Sequence, residues 1–331
     1  MQDYSANYSS KDIDYYDEYL NDSASLARRA YSRYALSLVI FNVITYVAQS
    51  ASLFILTLIL GSDKAYALIT GNIYVNYILS FVPMYLVAFP LFYLMVKNMR
   101  VMKRVRGRMK ITDFLATFFI SQGVMMVGDI IGTVLNKFIS VFVKNEVQNP
   151  VDELVEETPI WLIILVVVII GPIIEELMFR KLMIDRLSPY GTVGAIIFSS
   201  VTFGLFHGNL YQFFYAAMLG VILGYIYAKT GKLRYSVLLH MLINLFGSAL
   251  GMLVLKYFTQ FIVLYGLMQY AIAGLGIALL IFVFKTNRAR IENLRIYRVP
   301  DAKLAEVSVF NVGTLVFLAA SIILFASNIF A

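Results

Sequence analysis

The sequence predicts an all-α, polytopic membrane helical bundle of about eight or nine transmembrane helices, and three observations carry that expectation. Of the 331 residues 60% are hydrophobic and 14% charged, more apolar surface than a water-soluble domain of this length can hide. Apolar stretches of eighteen or more residues recur along nearly the whole chain, each long enough to cross a hydrocarbon core of about 30 Å as a helix. The short alternating segments of a membrane β-barrel are missing.

Apolar runs read against their charged punctuation give nine candidate spans: residues 35–60, 73–96, 111–143, 160–179, 191–206, 211–228, 235–255, 259–284 and 309–331. The chain divides into an N-terminal tail (1–33), peripheral membrane helices (34–158), a core (159–257) and C-terminal membrane helices (258–331). The tail carries Asp3, Asp12, Asp14, Asp17, Glu18 and Asp22 against Lys11, the reverse of a basic signal-peptide start. It is expected to be cytosolic and partly disordered through about residue 24, with the first apolar segment retained as an anchor.

The net charge of +7 sits in short loops between apolar runs, so it reads as a topology signal and excludes nucleic acid as a partner. Positive-inside bias places the loop from Lys97 to Lys110 in the cytosol, together with Lys229, Lys232, Arg234 and the stretch from Lys285 to Arg298. The N-terminus then lies on the cytosolic side, and the acidic stretch from Glu146 to Glu157 lies outside. An integral, multi-pass protein of a bacterial plasma membrane is the expected setting. Cysteine is absent, which excludes disulfides, thiolate nucleophiles and Cys-based zinc sites.

An ionisable group in hydrocarbon costs several kcal/mol unless paired or hydrated, so each is a functional candidate. Those here are Asp129, the pair Glu175 and Glu176 with Arg180, and His207 and His240, the chain's only two histidines. For either imidazole alone, a hydrogen bond to a neighbouring helix is the plain structural reading; for Asp129 a helix-packing hydrogen bond is the expected role.

Adjacent on a helix, Glu175 and Glu176 diverge by about 100° and are expected not to point at one site. Arg180, four residues after Glu176, is spaced to neutralise it and leave Glu175 free to take a proton. The plain alternative has both carboxylates at a cytosolic helix end, bound only to Arg180, Lys181 and water. His240 and Asn244, also four apart, place an imidazole and an amide on one face, able to donate two hydrogen bonds to one oxygen as an oxyanion hole requires. Phe203 shares that spacing with His207, where packing is its expected role.

Depth decides whether these groups meet. At about 1.5 Å per residue, Glu175 lies roughly 22 Å below the outer face near Ile160. His207 lies roughly 14 Å below the cytosolic surface, within reach of that level, if the fourth helix continues through Arg186 to Leu187 and the fifth starts in the cytosol. Gly208 and Asn209 break the chain after His207, suggesting a short fifth and a short sixth helix turning beside a cavity.

The Glu-Glu-x-x-x-Arg of Glu175 to Arg180, the Phe-x-x-x-His of Phe203 to His207 and the His-x-x-x-Asn of His240 to Asn244, with the stretch from Leu219 to Gly231 between, resemble the motifs of the CAAX prenyl protease 2 and bacteriocin-processing (CPBP, formerly Abi) family of intramembrane endopeptidases. The resemblance covers residues 160–255, which makes 159–257 the expected catalytic core. It implies that Glu175 and His207 activate a water and that His240 and Asn244 stabilise the oxyanion. Arg180 and Glu176 match the motif arginine and second carboxylate.

The family has often been called metalloproteases. Glu175, His207 and His240 would satisfy an open zinc site in ligand count. The HExxH helix is missing, however, and the preferred expectation needs no cofactor. The expected partners are a peptide or protein substrate and the lipid bilayer, with oligomeric state left open. Rival readings are a non-catalytic interaction protein, such as a bacteriocin-immunity or secretion-accessory factor, and a proton-coupled transporter.

Overall fold

The bilayer offers no donors or acceptors to a backbone, so apolar runs of this length satisfy their own peptide groups as helices. A computed structural model, which describes residues 10–143, 147, 149, 158–286 and 301–330, contains only helices and their connections among those residues. They are α1 (Ser10–Leu60), α2 (Ser62–Gly71), α3 (Ile73–Val96), α4 (Ile111–Val143), α5 (Ile160–Leu187), α6 (Thr192–Phe206), α7 (Leu210–Thr230), α8 (Leu233–Tyr257), α9 (Thr259–Thr286), α10 (Asp301–Val309) and α11 (Val312–Phe330). Eight are long and apolar enough to cross a membrane, and α6 is a shorter apolar helix. The chain is an integral, multi-pass membrane protein.

The N-terminal tail differs from expectation. Helix α1 begins at Ser10, and Ala24, Ala27, Ala30 and Tyr31 are buried. Small residues at helical spacing there form a packing face, met by the buried Leu304 and Val307 of α10. The acidic residues Glu146, Asp152, Glu153, Glu156 and Glu157 and the basic residues Arg288, Arg290, Arg295 and Arg298 lie outside the described residues.

Helix α4 lies between α7 and α9 and meets both at glycines. A Cβ on Gly128 would lie 2.6 Å from the Tyr215 Cα, and one on Gly123 would lie 2.7 Å from the Ala273 carbonyl oxygen. Only a hydrogen side chain permits such approach, and in lipid close backbone packing holds helices together. Asp129 follows Gly128 by one position and therefore turns away from that contact; it is exposed and makes no hydrogen bond among the described residues, so the expected packing bond is not formed.

Helix α5 continues to Leu187, as the depth argument required. Its 28 residues span about 42 Å, which carries its end beyond the hydrocarbon. Helix α6 is short, 15 residues, but α7 has 21 and is long enough to cross, so the sixth helix is not the short element expected from the break after His207. The break itself is present: Gly208 adopts φ +70°, and the Asn209 side chain caps α7 by accepting from the Gln212 N–H at 2.9 Å.

The basic loops are more than a topology signal. The Arg104 guanidinium lies 2.8 Å from the Asp185 carboxylate, which also takes Lys181 Nζ at 2.8 Å and the Tyr227 hydroxyl at 2.9 Å. Arg186 donates to the Val96 carbonyl at 2.7 Å and Arg33 to the Met95 carbonyl at 2.9 Å. Guanidinium groups from α1 and α5 thus cap the last carbonyls of α3, Met95 from Arg33 and Val96 from Arg186, the latter carbonyl also taking the Met99 N–H at 3.0 Å.

Candidate active site

Helices α5, α6 and α8 bring the motif residues together around one imidazole. Buried His240 has its Nδ1 3.1 Å from Glu176 Oε1 and its Nε2 3.7 Å from Glu175 Oε2. Both carboxylates therefore serve one ring, contrary to the expectation that their divergence would separate them. The ring enters between the two side chains, and its nitrogens face in different directions, so a 100° divergence matches the two edges.

The two carboxylates live in different surroundings. Glu176 is fully buried and sits 3.2 Å from the Arg180 guanidinium, itself fully buried, at the expected four-residue spacing. The side chain of Glu175 is 32% exposed, with Oε1 folded back toward Gly171, 3.9 Å from where a Cβ there would stand. A buried ion pair beside an accessible carboxylate separates a positioning group from one that can meet water.

Phe203 is the hub of the site. Its ring meets His207 edge-on at a centroid distance of 5.0 Å and His240 at 5.9 Å, and the Arg180 guanidinium lies 4.4 Å above it. Phe203 packs, as expected, but it also carries the charge of Arg180 through a cation–π contact. His207 donates Nδ1–H to the Phe203 carbonyl at 2.8 Å, which leaves Nε2 as the free acceptor.

Asn244 is placed one turn beyond His240, and its Nδ2 donates to the Val167 carbonyl at 2.9 Å. The local sequence accounts for this. Residues Ile164–Ile170 are π-helical, and the Gly171 N–H goes to the Val166 carbonyl. The next donor in that register belongs to position 172, which is proline and has none. Val167 is left without a helical partner, and the α8 amide supplies one. Val167 and Pro172 are thus site residues that motif reading passed over; the signal was a proline inside an apolar span that also needs an amide donor from elsewhere. Two of the three helices that hold the site are π-helical beside it, at Leu177–Ile184 in α5 and Leu245–Ala249 in α8.

Toward the basic end, a cavity of about 420 Å³ lies between α5, α7 and α8, lined by Leu177, Leu233 and the basic side chains Arg106, Lys181, Lys232 and Arg234. Leu233 precedes His240 by seven residues, two turns on the same face, so this basic cavity lies about 10 Å along α8 from His240.

Comparison with known proteins bears on the same segment. Residues 157–246 match the model of the family described as type II CAAX prenyl endopeptidase Rce1-like, and this stretch holds every site residue above. An 86-residue stretch, 26% of this chain, is 33% identical to the "Putative membrane peptidase YdiL" of Bacillus subtilis (strain 168). That stretch spans 35% of the relative's length. No solved structure matches the chain. Among the described residues no three His, Asp or Glu side chains gather so as to hold a metal ion. Within this segment Glu175 and His240 approach each other to 3.7 Å, and His207 does not join them in a three-ligand group.

Proposed function

We infer that the chain is an intramembrane endopeptidase that hydrolyses a peptide bond of a membrane-associated protein or peptide. The observation that carries this reading is the imidazole of His240 held between a buried, ion-paired carboxylate and an accessible one. Glu175 takes a proton from water as its oxygen attacks the peptide carbonyl carbon, while His207 Nε2 accepts a hydrogen bond from the remaining O–H and orients the attack. With a carboxylate at each nitrogen, His240 can carry a hydrogen on both, Nδ1–H held by Glu176 and Nε2–H offered to the developing oxyanion. Asn244 has a second amide hydrogen beyond the one given to Val167, and that hydrogen supplies the other donor. When the C–N bond breaks, Glu175 returns its proton to the leaving amine. Glu176 and Arg180 position the ring and touch no substrate. No step needs a metal or an acyl-enzyme.

In this reading the N-terminus and the basic cavity face the cytosol of a bacterial cell, and substrate reaches the site from that side. Cells carrying wild-type or Glu175→Gln protein are to be compared by sequencing peptide termini. New termini that depend on the wild-type carboxylate are expected; identical termini in both would favour a non-catalytic binding role.

A further inference from the structure

A cavity of about 800 Å³ opens where α1 passes the start of α11. Its α1 wall is one stripe: Arg29, Arg33 and Leu36 follow one another four and three residues apart, which stacks them on a single helix face. The opposite wall is Val312 and Leu315 of α11. The two helices cross closely here, with the Gly313 N–H donated to the Ser32 hydroxyl at 2.9 Å.

Both walls change character at the same level. Exposed apolar side chains of α1 run from Leu36 through Val43 and Val47, those of α11 run from Val312 through Leu315 and Val316, and α3 ends beside them at Val96. The cavity therefore straddles the boundary between polar surface and hydrocarbon, with cations above and aliphatic groups below.

Two of the three arginines keep donors beyond their internal partners. Arg28 pairs with Glu306 at 3.2 Å, and Glu306 also takes Lys303 at 3.0 Å. Arg33 uses Nε and Nη2 on the Met95 carbonyl and keeps Nη1. Arg29 makes no hydrogen bond or ion pair among the described residues, although all three arginines border the cavity. Guanidinium groups bind phosphate oxygens with matched geometry, and basic pockets between membrane helices suit anionic headgroups.

We propose that this cavity binds one anionic phospholipid, its phosphate against Arg29 and Arg33 and its acyl chains along Leu36 and Leu315. A free phosphate would use only the upper half; the apolar floor, open toward the bilayer, selects the lipid. The site is independent of the proteolytic reading.

The full chain, purified and delipidated in an uncharged detergent, is titrated with phosphatidylglycerol or phosphatidylcholine of the same acyl chains, and bound lipid is counted by native mass spectrometry. One phosphatidylglycerol is expected to bind in preference to phosphatidylcholine. Arg29→Gln, which breaks no internal contact, should weaken phosphatidylglycerol about fivefold and leave phosphatidylcholine unchanged. Leu315→Trp, which fills the apolar half, should weaken phosphatidylglycerol as well. Equal binding of the two lipids, or an unaltered preference in Arg29→Gln protein, would overturn the proposal. Inorganic phosphate that displaces phosphatidylglycerol, with Leu315→Trp binding the lipid normally, would assign the site to a free anion and overturn it too.

Discussion

Asn244 donates to the Val167 carbonyl at 2.9 Å, the oxygen that Pro172 leaves without a helical partner. Asn244→Ala should therefore cost about 1 kcal/mol of stability, the low end of the penalty for an unsatisfied polar group because this bond is only partly buried. Pro172→Ala restores an N–H in the π register and should recover part of that loss in the double variant. Unfolding of the four proteins in detergent gives the coupling, and strictly additive effects would mean that the two residues do not share the carbonyl. Activity should stay low in the double variant, because the oxyanion donor is still missing.

Glu175 and Glu176 should separate chemistry from folding. Glu175→Gln leaves the fold intact and lowers turnover by about 10²- to 10⁴-fold, the usual contribution of a positioned base. Glu176→Gln leaves the fully buried Arg180 without its counter-charge and should destabilise by about 3–5 kcal/mol. Thermal unfolding beside turnover on a substrate found by terminus sequencing distinguishes them; equal stability losses would contradict the assignment.

Phe203→Leu keeps most of the volume but removes the face under Arg180 and the edge contacts to both imidazoles. A desolvated cation–π contact is worth about 2 kcal/mol, so both stability and turnover should fall. Phe179 packs on Phe203 with rings 5.2 Å apart and has no ring contact with either histidine. Phe179→Leu is expected to lower stability while sparing turnover in the folded fraction, and matching activity losses would deny Phe203 its special place.

If the hydrolytic water is activated by Glu175 and His207 alone, dialysis against a strong chelator leaves turnover unchanged, and added zinc does not raise it. Loss of activity on chelation with recovery on zinc would return Glu175, His207 and His240 to the role of ligands.

The limits of sequence reading follow from what each feature depends on. Helix α5 through Leu187, the break at Gly208 and the Glu176–Arg180 pair depend on local spacing, and each stood out in the chain alone. The convergence of both carboxylates on His240 was misread because a divergence of about 100° excludes a shared point but not a shared ring. The Val167–Asn244 bond required knowing that Ile164–Ile170 winds as a π-helix, a register set by packing. The buried Arg104–Asp185 pair links a loop to a helix 81 positions away, and a loop rich in Lys and Arg gives no sign which cation will fold inward. The packed start of α1 was hidden by acidic residues that precede its alanine face.

The most direct measurement exploits the presence of only two histidines. Protein labelled with ¹⁵N-histidine, assigned by comparison with His207→Gln, reports which ring nitrogens bear hydrogen. The arrangement predicts a hydrogen on Nδ1 of both rings, given to the Phe203 carbonyl by His207 and to the Glu176 carboxylate by His240, with the His240 signal moving in Glu176→Gln protein and the His207 signal staying. A bare Nδ1 on His240, or a His240 signal indifferent to Glu176, would contradict the carboxylate-bracketed imidazole on which the proposed chemistry rests.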